Sequence, residues 1–344
     1  MGDIATKSGM ALHISLNAFR ASYRKFKADH IVVCLEGRSW RKDVYAAYKA
    51  NRAVTESLLT RKEREDDEFY FNVFKEFIEF LDKRTNVTVL QAQGCEADDL
   101  IARFIDIHPN DNHVILSGDS DFFQLLEGDR VKMYDGVKAW TYSTKEVLDE
   151  NDQPAFRKKL MPKKGSDGKV LKDKKGNVIK ESVKIMESPP VPEYELFKKI
   201  IRGDSSDNIH GASPGARENG SSKKPGIRQA FDDRHGKGFD WNLFMLEEWN
   251  KVVDAEPDGT PITSKVRVID EYKFNQQLID LRAQPQNIKD TLDETIVTAI
   301  QAPLKSGVGI WFLKFCNEMD LANMAKNPNE HANMLAAAYP KLAV

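Results

Sequence analysis

Apolar residues recur at spacings of four and three through Leu12, Leu16, Phe19, Tyr23 and Phe26, which predicts an amphipathic helix over residues 8–28. Residues 31–35 are instead continuously apolar and few, the pattern of a strand buried on both faces of a parallel sheet. The helical period returns with Phe69, Val73, Phe77 and Phe80. Residues 87–90 read as another strand, and residues 98–107 as a third helix with Leu100, Ile101, Phe104 and Ile105 inward. Residues 113–117 and 131–134 complete the strands. Strands alternating with helices predict an α/β domain over residues 1–150, whose parallel sheet binds ligands beyond the carboxyl ends of its strands.

The character changes at residue 157. Residues 157–184 hold eleven Lys/Arg against three Asp/Glu, a surplus of +8. Gly165, Asp167-Gly168 and Lys175-Gly176-Asn177 are turn signals around short apolar pairs, so residues 151–192 read as a basic, exposed β-hairpin or flexible linker insertion. Pro189-Pro190-Val191-Pro192 separates it from a helix starting near Glu193. Residues 193–344 read as mostly helical, with helices over 239–253, 272–280, 290–302 and 309–317 and a loop rich in Gly, Ser, Asn and Pro over 211–226.

The 344 residues are 41% hydrophobic and 30% charged, as in a soluble globular protein. The net charge of −2 argues against nucleic acid only until its segregation is noticed. Cys34, Cys95 and Cys316 show no disulfide or metal spacing, which fits a reducing cytoplasm. No apolar run reaches the ~20 residues of a membrane span, and the N-terminus lacks a signal-peptide pattern.

Carboxylates gather at four places. Glu36 ends the first strand; Glu96, Asp98 and Asp99 open the 98–107 helix; Asp119 and Asp121 follow the 113–117 strand; Asp204 and Asp207 flank Ser205-Ser206. Eight carboxylates on one spot would repel strongly unless neutralised, and hard divalent cations, Mg²⁺ above all, are the natural neutraliser. The set therefore reads as a two-metal phosphodiester site. Each piece alone has a plainer account. Acids at a helix start answer the dipole; Asp121 could be an N-cap, which leaves Asp119 over; Asp204 and Asp207 could sit in a solvated loop, and Glu36 in a surface turn. Their joint occurrence favours the metal site.

After Glu36 come Arg38, Arg41, Lys42, Lys49 and Arg52, interleaved with Trp40, Tyr45 and Tyr48. Cations contact phosphates and aromatic faces stack on unpaired bases, although a helix with its aromatics in the core would read similarly. Tyr45 is assigned to the core, and Lys49 and Arg52 to phosphate. Arg61, Lys62 and Arg64 are diluted by acids and read as a solvated face. The seven histidines form no ligand pair, which argues against zinc.

Glu96-Ala97-Asp98-Asp99, Ser117-Gly118-Asp119-Ser120-Asp121-Phe122 and Gly203-Asp204-Ser205-Ser206-Asp207-Asn208 together resemble the 5′-nuclease (flap endonuclease) superfamily. Trp40-Arg41-Lys42 with Tyr48-Lys49-Ala50-Asn51-Arg52 is similar to its phage branch, the T-even phage ribonuclease H type. The resemblance implies a PIN-like fold with a helical arch over about 40–68 and a helix–three-turn–helix over about 203–231. It implies that Glu36, Glu96, Asp98 and Asp119 hold one metal, that Asp121, Asp204 and Asp207 hold or orient a second, and that Asp99 is a further family acid. Tyr48, Lys49 and Arg52 would engage the scissile phosphate or the 5′ strand, with Arg38, Arg41, Lys42, Lys223 and Lys224 as further nucleic-acid contacts.

Three departures stand out. Glu36 stands where the family has Asp. The loop beginning Gly211-Ala212-Ser213-Pro214-Gly215 differs from the family's Gly-Val-Pro-Gly-Ile-Gly. The family's first strand, ending in Asp, is expected to be missing ahead of the first helix, and Asp3 is a poor substitute for its acid. The reading is thus a Mg²⁺-dependent (Mn²⁺ as substitute) 5′→3′ exonuclease or flap endonuclease that leaves 5′-phosphate ends. It would be a monomer acting in phage DNA replication on DNA and RNA–DNA duplexes with 5′ ends or flaps. A single-strand-binding protein or sliding clamp is the expected partner class. The alternatives are a cleavage-deficient 5′-end binding protein and, less favoured, a single-strand ribonuclease.

Overall fold

The computed structural model describes residues 4–165, 167–221, 223–256 and 260–340. Asp3 lies outside the described residues. The chain divides into two compact units, residues 1–109 with 196–344, and residues 110–195. It begins with α1 (Ile4–Lys25), β1 (Val32–Cys34), α2 (Arg41–Val44), α3 (Ala50–Ser57), α4 (Arg61–Arg84), β2 (Thr88–Leu90) and α5 (Ala97–Ile107). There follow β3 (His113–Leu116), a 3₁₀ turn (Ser120–Leu125), β4 (Val131–Asp135), β5 (Trp140–Tyr142), β6 (Val147–Leu148), β7 (Phe156–Pro162) and β8 (Lys180–Met186). Next come α6 (Pro192–Arg202), α7 (Ile227–Asp233), α8 (Phe239–Met245), β9 (Glu248–Ala255) and β10 (Pro261–Arg267). The chain continues through α9 (Val268–Ile279), α10 (Gln286–Gln301), α11 (Val308–Glu318), α12 (Ala322–Ala325) and α13 (Asn329–Ala336).

The fold is mixed α/β with parallel strand pairs, as the alternation of periods predicts. In the first unit β1 and β2 pair in parallel, Val33 opposite Val89. Alternate residues serve opposite faces of this pair. Val33 and Val89 pack on a core from α1, α4, α11 and α13 that includes Leu12, Leu16, Phe77, Phe80, Phe312 and Leu335. Val32, Cys34 and Leu90 pack on Leu100, Phe104, Leu292 and Ile296 of α5 and α10. A strand covered on both faces needs a continuous apolar run, which is why residues 31–35 carry no alternation.

In the second unit β3 and β4 are parallel, and β4, β5 and β6 continue antiparallel. The basic segment expected as a hairpin or a loop is the antiparallel hairpin β7–β8. One helix expectation fails. The helix over 239–253 stops at Met245, and a second antiparallel hairpin, β9–β10, follows. Trp249, whose indole donates to the Ala212 carbonyl at 2.9 Å, anchors this hairpin, and the remaining apolar residues Val252 and Val253 stay exposed. Among the described residues no helix is long and apolar enough to cross a membrane.

His331 of α13 is buried, stacked on Phe312, and neither ring nitrogen has a hydrogen-bond partner. Burial, helped by the charges of Arg20 and His13, pushes its pKa down to about 4. A histidine held neutral in the fold but free to charge when unfolded stabilises fully above its ordinary pKa of 6.5 and loses that contribution as pH falls toward 4. Urea titrations are expected to show stability dropping between pH 6.5 and pH 4, and a smaller drop in His331→Phe; identical pH profiles for the two proteins would contradict this.

Candidate functional site

The site in the first unit is built around Arg41, which is 1% exposed. Its Nη1 donates to Glu96 Oε2 and Asp99 Oδ2, each at 3.0 Å, and its Nη2 to Asp99 Oδ1 at 2.9 Å. Its Nε donates to the Leu278 carbonyl at 2.8 Å. Asp99 accepts further hydrogen bonds from Trp40 Nε1, Gln284 Nε2 and its own helix-entry amide, Glu96 N. Burial opposes the guanidinium charge, but Asp99 outweighs it and leaves the Arg41 pKa raised.

Two expectations are corrected here. Arg41 cannot touch nucleic acid, because its donors are sealed within the protein. Asp99 has no exposed surface and gives both oxygens to Arg41, Trp40 and Gln284, so its place in the structure is to hold Arg41 and the start of α5. Tyr48 is likewise only 3% exposed, so it is not a stacking platform.

Tyr48 instead links two acids. Its hydroxyl lies 3.0 Å from both Glu96 Oε2 and Asp207 Oδ2 and can donate to either. Lys49 bonds Glu96 Oε1 and lies 3.8 Å from Asp207, and Arg52 pairs with Asp207 at 3.0 Å. Ser39 Oγ donates to Glu96 Oε2 at 2.9 Å. Burial disfavours the charged form of Glu96, yet Lys49, Arg41 and Ser39 together hold its carboxyl below the usual range. Its depressed pKa means that its pairing stabilises the fold above the ordinary carboxylate range and fades as acid protonates it.

The backbone brings these groups together. Lys49 N donates to the Asp207 carbonyl at 2.9 Å, and Asn208 Nδ2 to the Ala47 carbonyl at 2.8 Å. Asn51 Nδ2 reaches the carbonyls of Ser205 and Ser206. The 204–209 turn closes by paired backbone bonds between Asp204 and Ile209. Gly203 permits it: φ is +74°, and a Cβ there would stand 2.4 Å from the Ile209 carbonyl oxygen. Asp204 pairs with Lys199 at 2.8 Å; against its burial, Lys199 and Ser206 lower its pKa to about 2.

The other expected residues are spread more widely. Glu36 is exposed and accepts a 3.4 Å bond from Ala97 N. Asp98, in the first turn of α5, is close enough that its charge adds to the burial that pushes the Cys34 thiol up to about 12. Arg38 pairs with Asp43 in the open, and Lys42 is exposed. Lys223 and Lys224 line a cleft of about 740 Å³ with Lys237 and Phe239. In the second unit, Asp119 is exposed and caps the 3₁₀ turn by accepting from Asp121 N at 3.0 Å, so the cap is Asp119 rather than Asp121.

Among the described residues no group of three or more His, Cys, Asp or Glu side chains stands placed to hold a metal ion. Within the first unit Glu96 and Asp207 share Lys49, and Asp204 pairs with Lys199. The donor set is nevertheless all hard oxygen, which suits Mg²⁺ or Mn²⁺ in chemical type. Sequence reasoning missed Ser39, Gln284 and Lys199. Lys199 could have been found as a cation in the last turn of the helix before Asp204, whereas Gln284 sits in the irregular link between α9 and α10 without any pattern.

Residues 4–159 match a family described as 5′-3′ exonuclease, N-terminal resolvase-like domain. The matched segment makes up just under half of the chain. It carries Arg41, Tyr48, Lys49, Arg52 and Glu96, whereas Asp204 and Asp207 lie beyond it. The chain is 30% identical over 208 residues to the ribonuclease H of Enterobacteria phage T4, covering 58% of this chain and 53% of that protein. It is 30% identical over 193 residues to the DNA polymerase I of Chloroflexus aurantiacus, covering 54% of this chain and 16% of the polymerase. It thus spans about half or less of the length of these curated relatives. The T5 D15 protein, solved co-crystallised with metal ions, shares the fold with a TM-score of 0.52 at 18% identity, covering 86% of this chain and 97% of that one.

Breaking a buried ion pair by removing one partner typically costs about 3–5 kcal/mol. Arg41→Met is expected to lose that much in urea unfolding. Lys42→Gln next to it should change stability by less than about 0.5 kcal/mol. Comparable small effects for both would contradict the assigned role of Arg41.

Proposed function

We propose that the protein is a Mg²⁺-dependent 5′→3′ nuclease of exonuclease or flap endonuclease type that removes RNA primers and 5′ flaps during phage DNA replication. The observation that carries this is the joining of Glu96 and Asp207, 111 positions apart, by Tyr48 and Lys49. The family match over residues 4–159 supports it. In this reading Glu36, Glu96, Asp98, Asp119, Asp121, Asp204 and Asp207 serve the metals. A bound divalent cation supplies an activated water and neutralises charge on the phosphodiester. Tyr48 orients the two carboxylates. Lys49 and Arg52, 14% and 61% exposed at the side chain, offset charge on the phosphate, which makes them the proposed catalytic cations.

The domain plan of the proposal keeps a nuclease domain over 1–150 with an arch over about 40–68. In this proposal the arch would comprise α2, the fully exposed α3 and the start of α4, where Thr60 and Glu63 form a capping box. The basic insertion over 151–192 and the helix–three-turn–helix over about 203–231 complete it. A monomer in the host cytoplasm, working with a single-strand-binding protein or clamp, is part of the same proposal. One observation favours a second reading, a 5′-end binding protein without cleavage: Glu96 and Asp207 are already engaged by Lys49 and Arg52.

Asp119→Asn keeps a capping side chain, so stability should hold. Release of a 5′-labelled flap in Mg²⁺ should fall at least a hundredfold while flap binding stays within about twofold. EDTA should abolish release by the unmodified protein. Equal loss of binding and cleavage would refute the role given to Asp119, and absence of release from the unmodified protein under Mg²⁺ or Mn²⁺ would favour the binding reading.

A further inference from the structure

The β7–β8 hairpin has no place in the chemistry above, and its charge is extreme. We propose that it is a second duplex-binding element, a cationic β-ribbon that grips the phosphate walls of a nucleic-acid groove.

Its arms pair Phe156 with Met186, Lys158 with Lys184 and Lys159 with Val183, and all seven β7 residues are exposed. Partners opposite one another share a face. One face therefore carries Lys158 and Lys184, and the other Arg157 and Lys159. The tip adds Lys163, Lys164, Lys172, Lys174 and Lys175. It is ordered by bridges pairing Lys164 with Val170 and Lys172 with Val178, and by Asp173, which accepts from the amides of Lys175 and Asn177.

Three acids in residues 157–184 cannot neutralise eleven cations. Arg157 reaches Glu187 at 2.7 Å, and Asp167 lies 3.9 Å from Lys169. Lys158 directly opposite Lys184 is a repulsive pair, which costs stability and calls for an anion from outside. The distribution of charge selects the partner. A membrane surface would ask for one apolar and one cationic face; here each face mixes both, with Leu160 beside Lys158 and Met161 beside Lys159. A groove has phosphates on two sides, and a two-stranded ribbon fits the major groove. Seven residues extend over roughly 20 Å, which matches about six phosphates of one strand.

The inference extends the nuclease reading but does not require cleavage. The test compares the full chain with a variant in which Lys163, Lys164, Lys172, Lys174 and Lys175 are all glutamine. Binding to a fluorescent 30-base-pair duplex without a flap is measured across salt concentrations. The expected result is about tenfold weaker binding at 0.1 M salt and a salt-dependence slope smaller by about 3. Lys158→Gln alone serves as second variant, which leaves the Lys184 ammonium on the Phe156 ring at 4.9 Å. It should weaken binding while raising the melting temperature, because it removes repulsion; a merely structural role would lower that temperature. Unchanged affinity and slope in both variants would overturn the proposal. So would loss confined to phosphatidylserine vesicles or poly-glutamate with duplex binding intact. A chain that cleaves nothing yet shows the lysine-dependent slope would sink the nuclease reading and leave this one standing.

Discussion

A desolvated guanidinium constrains the first unit more than any other group. Arg41 makes four hydrogen bonds to two carboxylates and one carbonyl, and its side chain is 2% exposed. A buried cation is tolerable only when every donor is satisfied. The segment at Arg41, the start of α5 and the end of α9 are therefore fixed as one piece. Glu96 inherits that rigidity: its Oε2 is held by Arg41, Ser39 and Tyr48, while Oε1 faces Lys49. The cations grow more accessible along the chain, from 2% for Arg41 through 14% for Lys49 to 61% for Arg52. The innermost one organises the site, and the outer two can exchange partners with a ligand.

Three acids and three bases make this cluster neutral as it stands. Glu96, Asp99 and Asp207 are matched by Arg41, Lys49 and Arg52. Adding a divalent cation alone would overcharge the cluster in one direction, and adding a phosphate alone in the other. In the proposed reading a phosphodiester, with a single negative charge, would offset half the charge of one divalent cation, and Lys49 and Arg52 would be the cations able to turn toward it. A site of this kind favours its two ligands jointly over either alone, through Coulomb energy at modest dielectric.

Much of the fold was legible because period and burial are linked. The continuous run at residues 31–35 announced a strand covered on both faces, and Val33 and Val32 do pack on different cores. The stretch over 239–253 was read as one helix within a mostly helical region, although Trp249, Val252 and Val253 lie in a strand, two of them facing solvent. Of the Arg41 cluster, Glu96, Asp207, Lys49 and Arg52 were singled out from the sequence, but not the ion pairs they form. Nothing in a local pattern says that Arg41 will be buried against residues 55 and 58 positions later, because that pairing is tertiary. The same holds for Tyr48, whose aromatic ring suggested stacking until burial showed its hydroxyl bridging two acids. The cap of the 3₁₀ turn was assigned to Asp121 instead of Asp119 for a smaller reason: alternating acids leave open which of them caps the turn.

A net charge of −2 conceals a deliberate-looking division of charge that follows from burial physics. Removing the eleven cations and three acids of residues 157–184 from the totals of 51 and 53 leaves 40 against 50. Most of the chain is therefore acidic, and its cations are drawn into pairs such as those of Arg41, Arg103 and Lys199. A cation committed to a carboxylate is poorly available to a phosphate. An unneutralised basic surface is easier to sustain on an element with few acids and little core, where solvent screens the repulsion. The hairpin meets that condition, since its β7 arm buries no residue and its two middle lysines face each other. The facing lysines cost some stability by repulsion, and the same feature leaves positive charge available.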